Sequence, residues 1–302
     1  MAARQTLAPL KVAKPMTATP TDDRDAGLAA QYEAYPYPER NPQDETRRLF
    51  IGSPSHLREV DYWVFGAQRP RSKSMRVLVA GCGTGDGAIM LATQLARADR
   101  PAEVVCLDRS TKALSIAQAR AQTRKLDNIR FIEGSLNELD ALELGLFDYI
   151  DCCGVLHHLP DPAAALQTLE RHLTPGGGMG LMVYAPFGRT GVYMLQDALE
   201  KLAPLTQSPE ERLDVARRVM RTLPATAWLR QNGNFGDHLS GGDAGLYDLL
   251  LNPRDRAYTI TDFLALLDQA GLEPAALMEP ARYDPALFLP DPRLRARLAT
   301  LP

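Results

Sequence analysis

The sequence predicts a doubly wound α/β fold, a mostly parallel sheet with helices on both faces, interrupted by an inserted and mainly helical cap. Three observations predict it. Strand-length apolar runs alternate with helical segments between Met75 and Ala185, as in βαβ architectures. The run Val77–Ala80 passes directly into three alternate glycines, Gly81, Gly83 and Gly85, and then into good helix formers, the arrangement by which such a sheet accepts a nucleotide-like ligand. The alternation breaks at Pro186 and resumes near Thr259, which marks an insertion. The resulting divisions are a tail (1–26), an N-terminal arm (27–74), a first core part (75–185), a cap (186–258), and a core remainder with C-terminal tail (259–302).

Composition bounds the class. The chain has 302 residues, 45% hydrophobic and 24% charged, with a net charge of −3, the profile of an ordinary globular protein. Its mildly acidic balance argues against a nucleic-acid acceptor. No apolar run is long enough for a membrane span, and the N-terminus lacks a secretory core, so a cytoplasmic protein is expected. Cys82, Cys106, Cys152 and Cys153 form no CxxC pair; they read as small buried thiols, with neither disulfide framework nor zinc site. The oligomeric state is left open.

The tail to about residue 26 reads as disordered. In the arm, Tyr32, Tyr35 and Tyr37 interleave with Pro36 and Pro38, and the prolines favour an extended course. Two compatible readings stand: an arm that packs its rings over the main domain, or a lid that closes over the ligand of the glycine loop. A polar helical stretch up to Trp63 follows.

Strand one is Arg76–Ala80, with a helix over Ala88–Ala96. Strand two, Glu103–Leu107, ends at Asp108, and Ser110 caps a helix from Thr111 to about Lys125. Strand three is Ile129–Glu133 and ends at Gly134-Ser135. Strand four, Phe147–Cys153, runs into Gly154 and the pair His157-His158. Asp161 and Pro162 suit the N-cap and first position of a helix that ends near Leu173. Pro175–Gly178 reads as a turn before strand five, Met179–Ala185. In the cap, one helix lies within Val192–Leu202, and Ser208-Pro209-Glu210-Glu211 starts another that continues to Thr222. Gln231–Asp243 reads as a loop, and the block Leu246–Tyr258 completes the cap. A helix capped by Thr261 and stopped by Gly271, a strand at Ala275–Met278, and a short helix in Pro292–Leu298 follow.

The glycine loop narrows the chemistry. A dinucleotide fingerprint places glycine at its sixth position, beside a pyrophosphate. Here that position is Asp86, whose charge opposes a pyrophosphate and suits an ammonium or sulfonium. With an acid, Asp108, closing strand two, the pattern resembles the class I S-adenosylmethionine-dependent methyltransferases, which have a Rossmann-like fold. The resemblance rests on five pieces in order: VLVAGCGTGDG at 77–87, CLDRS at 106–110, IRFIEGS at 129–135, FDYIDCCGVLHHLPDP at 147–162 and LTPGGGMGLMVY at 173–184. It covers about 75–185 and resumes at 259–279, and the tyrosine/proline arm resembles that of a bacterial subgroup.

The resemblance implies a cofactor site for S-adenosylmethionine, with S-adenosylhomocysteine as product. Gly81, Gly83 and Gly85 would pass beneath its methionine and ribose portions, Asp108 would accept from both ribose hydroxyls, and Cys82, Asp86 and Arg109 are further cofactor-site candidates. The family often has an acid for the adenine amino group where this chain has Ser135, so that role falls to Ser135 and the Leu136 backbone. Cys153 and Gly154 stand where a backbone carbonyl meets the methionine amine, and Tyr32 would face the sulfonium. Catalytic candidates are His157 and His158, as general base or as structural residues of the floor, and Tyr258. Acceptor candidates are Tyr35, Tyr37, Arg254 and Arg256, each arginine open to a plain surface ion pair instead. Neither histidine has partners at metal-ligand spacing, so no metal is expected. The acceptor is read as a small molecule or a protein side chain. A catalytically silent binding module and an RNA methyltransferase remain alternatives.

Overall fold

The computed structural model describes residues 23–233 and 236–300; the predicted tail up to residue 22 and part of the predicted 231–243 loop lie outside them. Helix α1 (Asp23–Ala34) opens the described chain. Tyr32 therefore sits on a helix, and the extended course begins only at Tyr35-Pro36, where proline removes the next backbone donor. The arm continues through a 3₁₀ turn at Pro42–Thr46 and helical turns over Leu57–Val64.

The core then alternates. Strand β1 (Met75–Ala80) leads to α2 (Asp86–Arg97), β2 (Ala102–Asp108) to α3 (Thr111–Thr123), and β3 (Ile129–Glu133) to β4 (Phe147–Cys153). Helix α4 (Pro162–Arg171) precedes β5 (Leu173–Met182). All pairings are parallel, in the order β3-β2-β1-β4-β5. The order reverses between β1 and β4, the crevice where open α/β sheets take ligands. Val77, Val79 and Val104 face α2 and α3 on one side, while Leu78, Val105 and Ile150 face α4 on the other. Both faces are buried, as a parallel sheet requires.

Side-chain caps set the helix starts. Ser110 accepts from the Ala113 N–H at 3.0 Å and Asp161 from the Ala164 N–H at 3.0 Å. The glycines at 176–178 do not form a turn before β5 but lie inside it. Pairing jumps from Phe147↔Leu173 to Tyr149↔Gly178, so β5 bulges. A Cβ on Gly178 would come within 2.8 Å of Val64, so the arm's close approach requires glycine there.

The cap includes α5 (Val192–Leu202), α6 (Pro209–Thr222) and α7 (Gly242–Leu251), with short helical turns at Trp228–Gln231 and, within the predicted loop, Asp237–Ser240. Its own core includes Val192, Leu199, Leu213, Tyr247 and Leu250. The sequence reading missed α7 as a helix: it is buried over most of its surface, so it lacks the polar face that would have announced it. Arg212 is buried among these helices and donates to the Ala203 carbonyl, the Tyr247 hydroxyl and the Leu251 carbonyl at 2.6–3.0 Å. Helix α8 (Ile260–Gln269) is capped by Thr259 and not Thr261, because Thr259 and Asp262 form a reciprocal capping box. Residues 275–278 form no strand: β5 has no further partner among the described residues, and the segment runs irregularly to α9 (Pro292–Leu298). No helix among the described residues is long and apolar enough to cross a membrane.

The arm is anchored to the core by a buried ion network. Arg120 of α3, 1% exposed, meets Glu45 of the arm at 2.6 Å, Asp86 of α2 at 2.7 Å and the Thr84 carbonyl at 2.8 Å. Arg124 also bonds Glu45. Removing one partner of a buried pair leaves an uncompensated charge, at a cost of about 3–5 kcal/mol. Glu45→Ala is therefore expected to lower the unfolding free energy in urea by about that amount, and Glu45→Leu combined with Arg120→Met to recover much of it.

Candidate active site

A cavity of about 610 Å³ opens at the carboxyl ends of the strands, around the β1/β4 reversal. Gly81, Gly83, Asp108, Ser135, Cys153 and Gly154 line it from the core, Tyr32, Tyr37 and Arg40 from the arm, and Asp237 and Asp248 from the cap. Its size and concavity suit a small-molecule site.

The glycine loop forms one wall. Gly81 has φ +73° and Gly83 φ +52°, conformations that side chains disfavour. A Cβ on Gly81 would lie 2.5 Å from Val155, and one on Gly83 would lie 2.6 Å from the Tyr37 carbonyl. The arm's backbone thus rests directly on the loop. It is held there by the Thr84 hydroxyl, which donates to the Pro38 carbonyl at 2.7 Å. Gly85, φ +97°, starts α2 and does not line the cavity.

Asp108 ends β2 with its carboxylate turned back to the loop. It accepts from the Gly83 N–H at 2.7 Å and the Ser110 N–H at 2.9 Å. Burial raises its pKa, opposed in part by these backbone donors. Arg109 also lines the cavity and forms a bidentate pair with Asp25 of α1 at 3.0 and 3.1 Å. Ser135 caps the turn after β3, accepting from the Asn137 N–H at 3.2 Å, and Leu136 beside it is buried.

Asp86 is otherwise engaged than its position suggested. Arg40 donates to its carboxylate at 2.6–3.1 Å and Arg120 at 2.7 Å. Burial would raise its pKa, but the bonds and charges of the two arginines outweigh that and lower it. Two guanidinium groups already balance it, so Asp86 serves to close the arm; the sequence argument for an ammonium partner there does not carry over.

The uncommitted acid is Asp151, which sequence reasoning missed. It lies on β4 opposite Val79 of β1, bonds the Ser55 hydroxyl, and accepts from the Cys153 N–H at 2.9 Å. It is 4% exposed and lines the cavity. Burial pushes its carboxyl up to about 6. The signal available in sequence was an acid near the carboxyl end of a strand, the second of two in the otherwise apolar FDYIDCC. Burial also pushes the adjacent Cys153 thiol up to about 12, so it is not a nucleophile at neutral pH.

The histidines divide. His158 lines the cavity, and its Nδ1 lies 2.6 Å from the Arg254 carbonyl. A carbonyl only accepts, so Nδ1 carries a proton there and Nε2 is the nitrogen left outside that bond. His157 is fully buried behind it, with ring centroids 4.1 Å from His158 and 4.0 Å from Tyr184. Burial, helped by the charges of His158 and Arg189, lowers its pKa to about 2, so it stays neutral. The ligand atoms of His157, His158 and Asp255 come within 4.8 Å of one another. Arg189 pairs with Asp255 at 2.8 Å and lies 3.6 Å over the Tyr184 ring, so a guanidinium already supplies the positive charge a metal would bring.

The remaining candidates scatter. Tyr37 lines the cavity and its hydroxyl donates to Asp237 at 3.3 Å. Tyr35 stacks on Tyr247 of the cap at 5.3 Å and does not line the cavity. Tyr258 is buried, its N–H bonded to the Tyr184 carbonyl at 2.8 Å, away from the cavity. Arg254 and Arg256 border a separate open depression with Tyr193 and Ala257, where Arg254 pairs with Asp25 at 3.6 Å.

Residues 71–211 match the family profile of a methyltransferase domain. An uncharacterized protein of Synechococcus is 30% identical over 93% of this chain and 66% of its own length. A ubiquinone biosynthesis O-methyltransferase of Albidiferax ferrireducens is 36% identical over 34% of this chain and 38% of its own length. The chain thus spans between 38% and 66% of the length of these relatives. The structure of PKMT2 from Rickettsia typhi superposes with a TM-score of 0.56 at 18% identity, over 74% of this chain and 43% of that one. Its complex with AdoHcy gives 0.53 at 17% identity, over 78% and 48%. At these identities the structural likeness is one of fold.

The Gly83 contact yields a direct test. Gly83→Ala places a methyl against the Tyr37 carbonyl, forcing the arm off the loop. Proteolysis within residues 38–52 is expected to quicken while the far-ultraviolet circular dichroism stays unchanged; unchanged cleavage would show that the arm does not depend on this contact.

Proposed function

We propose that this chain, whose residues 71–211 are a methyltransferase domain of the class I, S-adenosylmethionine-dependent type, moves a methyl group onto a small-molecule or protein side-chain acceptor seated beneath the cap. The observation that carries the reading is the single cavity spanning the β1/β4 reversal, with glycines and Asp108 on one side and cap residues on the other.

The residues present fit the cofactor. Gly81 and Gly83 leave room that a Cβ would fill, and Asp108 offers a buried carboxylate beside them. Ser135 and the Leu136 backbone border the far end, where an adenine would sit. Asp151 supplies a buried carboxylate for the amino-acid ammonium, with Ser55 of the arm fixing it. When bound, S-adenosylmethionine supplies a methyl group made electrophilic by its positive sulfur. The chain's part is to orient the two ligands in line and to exclude water. The arm does the second: Tyr37, Pro38, Phe50 and Ile51 roof the cavity, and the Arg40–Asp86 pair holds them down.

Two outcomes test the assignment. Asp108→Asn is expected to weaken S-adenosylhomocysteine binding by calorimetry at least about tenfold, the scale of one lost charged hydrogen bond.

The second concerns pH. An Asp151 carboxyl raised from its ordinary 3.8 to about 6 is charged above pH 6. Binding an ammonium needs that charge. S-adenosylhomocysteine affinity is therefore expected to be flat above about pH 6 and to fall by about tenfold per unit below it, and Asp151→Asn to abolish the slope. Without ligand the sign reverses for stability. The folded state holds the proton more tightly than the unfolded chain, so this group makes folding less favourable as pH rises from about 4 to 6. Asp151→Asn should then unfold at a higher temperature than wild type at pH 7 in the absence of ligand.

A further inference from the structure

The part of the cavity beneath the cap combines aromatic rings and acids. Tyr32, Tyr37 and Tyr184 line it together with Asp237 and Asp248. Asp248 is 4% exposed, and one of its oxygens accepts the Tyr32 hydroxyl at 2.9 Å. The Asn252 amide donates to that hydroxyl at 3.4 Å, which directs the Tyr32 hydrogen toward Asp248. The Tyr37 hydroxyl is likewise turned to Asp237. Both acids thus face the cavity as acceptors, beside ring systems whose faces attract cations. Arg189, whose charge reaches Asp248, is engaged with Asp255 and the Tyr184 ring and does not line the cavity.

An acceptor that is anionic would meet two acids here. An acceptor that is a neutral phenol would bring no positive charge to Asp248, whose charged form burial disfavours. A cationic acceptor satisfies both acids and the rings. We propose that the acceptor is an amine, which enters as an ammonium between Tyr32, Tyr37 and Tyr184 with Asp248 as its counter-charge and loses one proton to His158. The assignment rests on the methyl-transfer reading above and narrows it.

His158 is placed for that proton. Its Nδ1–H is committed to the Arg254 carbonyl, so Nε2 is the basic nitrogen, and its ring lies 6.4 Å, edge to face, from Tyr32. The ammonium's N–H bond breaks, the proton passes to Nε2, and the electron pair remains on the amine nitrogen. That pair forms the new N–C bond as the C–S bond of the donor breaks and its pair stays on sulfur. The product is an N-methylammonium, and the proton on Nε2 passes to water. Asp248 holds the cation before and after the step, and so positions it.

The test uses the full chain with methyl-labelled S-adenosylmethionine and three probes, hexylamine, a short lysine-containing peptide and catechol, with S-adenosylhomocysteine binding measured in parallel by calorimetry. Label is expected on nitrogen of one or both amines and not on catechol; transfer to the peptide alone would identify a protein side chain, and transfer to hexylamine a free amine. Asp248→Asn is expected to lower kcat/KM for the amine by at least about tenfold while S-adenosylhomocysteine affinity stays within about threefold. Asp237→Asn, on the same wall and bonded to Tyr37, is expected to raise KM with little change in kcat, and serves if the first variant does not fold. Methylation of catechol alone, methylation of none of the three, or amine transfer indifferent to both substitutions overturns the amine assignment. Absence of S-adenosylhomocysteine binding by the wild type overturns the methyl-transfer reading itself.

Discussion

The guanidinium of Arg120 is the contact on which the geometry of the site depends. It joins three separate pieces of chain: the arm through Glu45, the start of α2 through Asp86, and the glycine loop through the Thr84 carbonyl. Such a buried charge is tolerable only when it is fully paired and hydrogen-bonded. The pairing therefore fixes where the arm crosses the sheet, and the Arg40–Asp86 bridge extends the same network to the cavity rim. With the arm fixed, the Tyr37 carbonyl rests on Gly83 and the arm covers part of the crevice.

The chamber's chemistry follows from where the sheet reverses. On the β1–β3 side, the Gly83 and Ser110 N–H groups converge on the Asp108 carboxylate at the cavity wall. On the β4–β5 side, the cap lowers Asp248 and Asp237 toward the rings of the arm. Asp151 lies nearer the start of α2, close to Gly87 and the Ser55 hydroxyl. Four acids thus face one cavity from three directions, and a fifth lining acid, Asp86, is neutralised by arginines. That charge distribution favours ligands with localised positive charge over phosphates.

Much of the fold was legible because local chemistry decides it. The strands 129–133 and 147–153 end where the apolar runs end, and Ser110, Asp161 and Ser208 cap helices because their short oxygens suit that position. The misreadings arise where tertiary contacts override local pattern. The glycines 176–178 mark a bulge under Val64 rather than a turn, and α7 is buried on nearly all sides and so shows no amphipathic stripe. In the site, the glycine spacing and the strand-end acid pointed to Gly81, Gly83 and Asp108 because these sit at fixed offsets from a strand. Asp86 was misjudged because its partners, Arg40 and Arg120, are 46 and 34 residues away. Asp151 and Asp248 acquire meaning only once the arm and cap are folded over them.

The central claim is that arm, loop and strand ends form one chamber around a common ligand. Hydrogen–deuterium exchange of the full chain with and without S-adenosylhomocysteine tests it most directly. The account predicts ligand-dependent protection in residues 81–87, 134–136 and 151–154 together with the arm at 32–55. Protection confined to the loop and strand ends, with the arm exchanging as in the free protein, would contradict it.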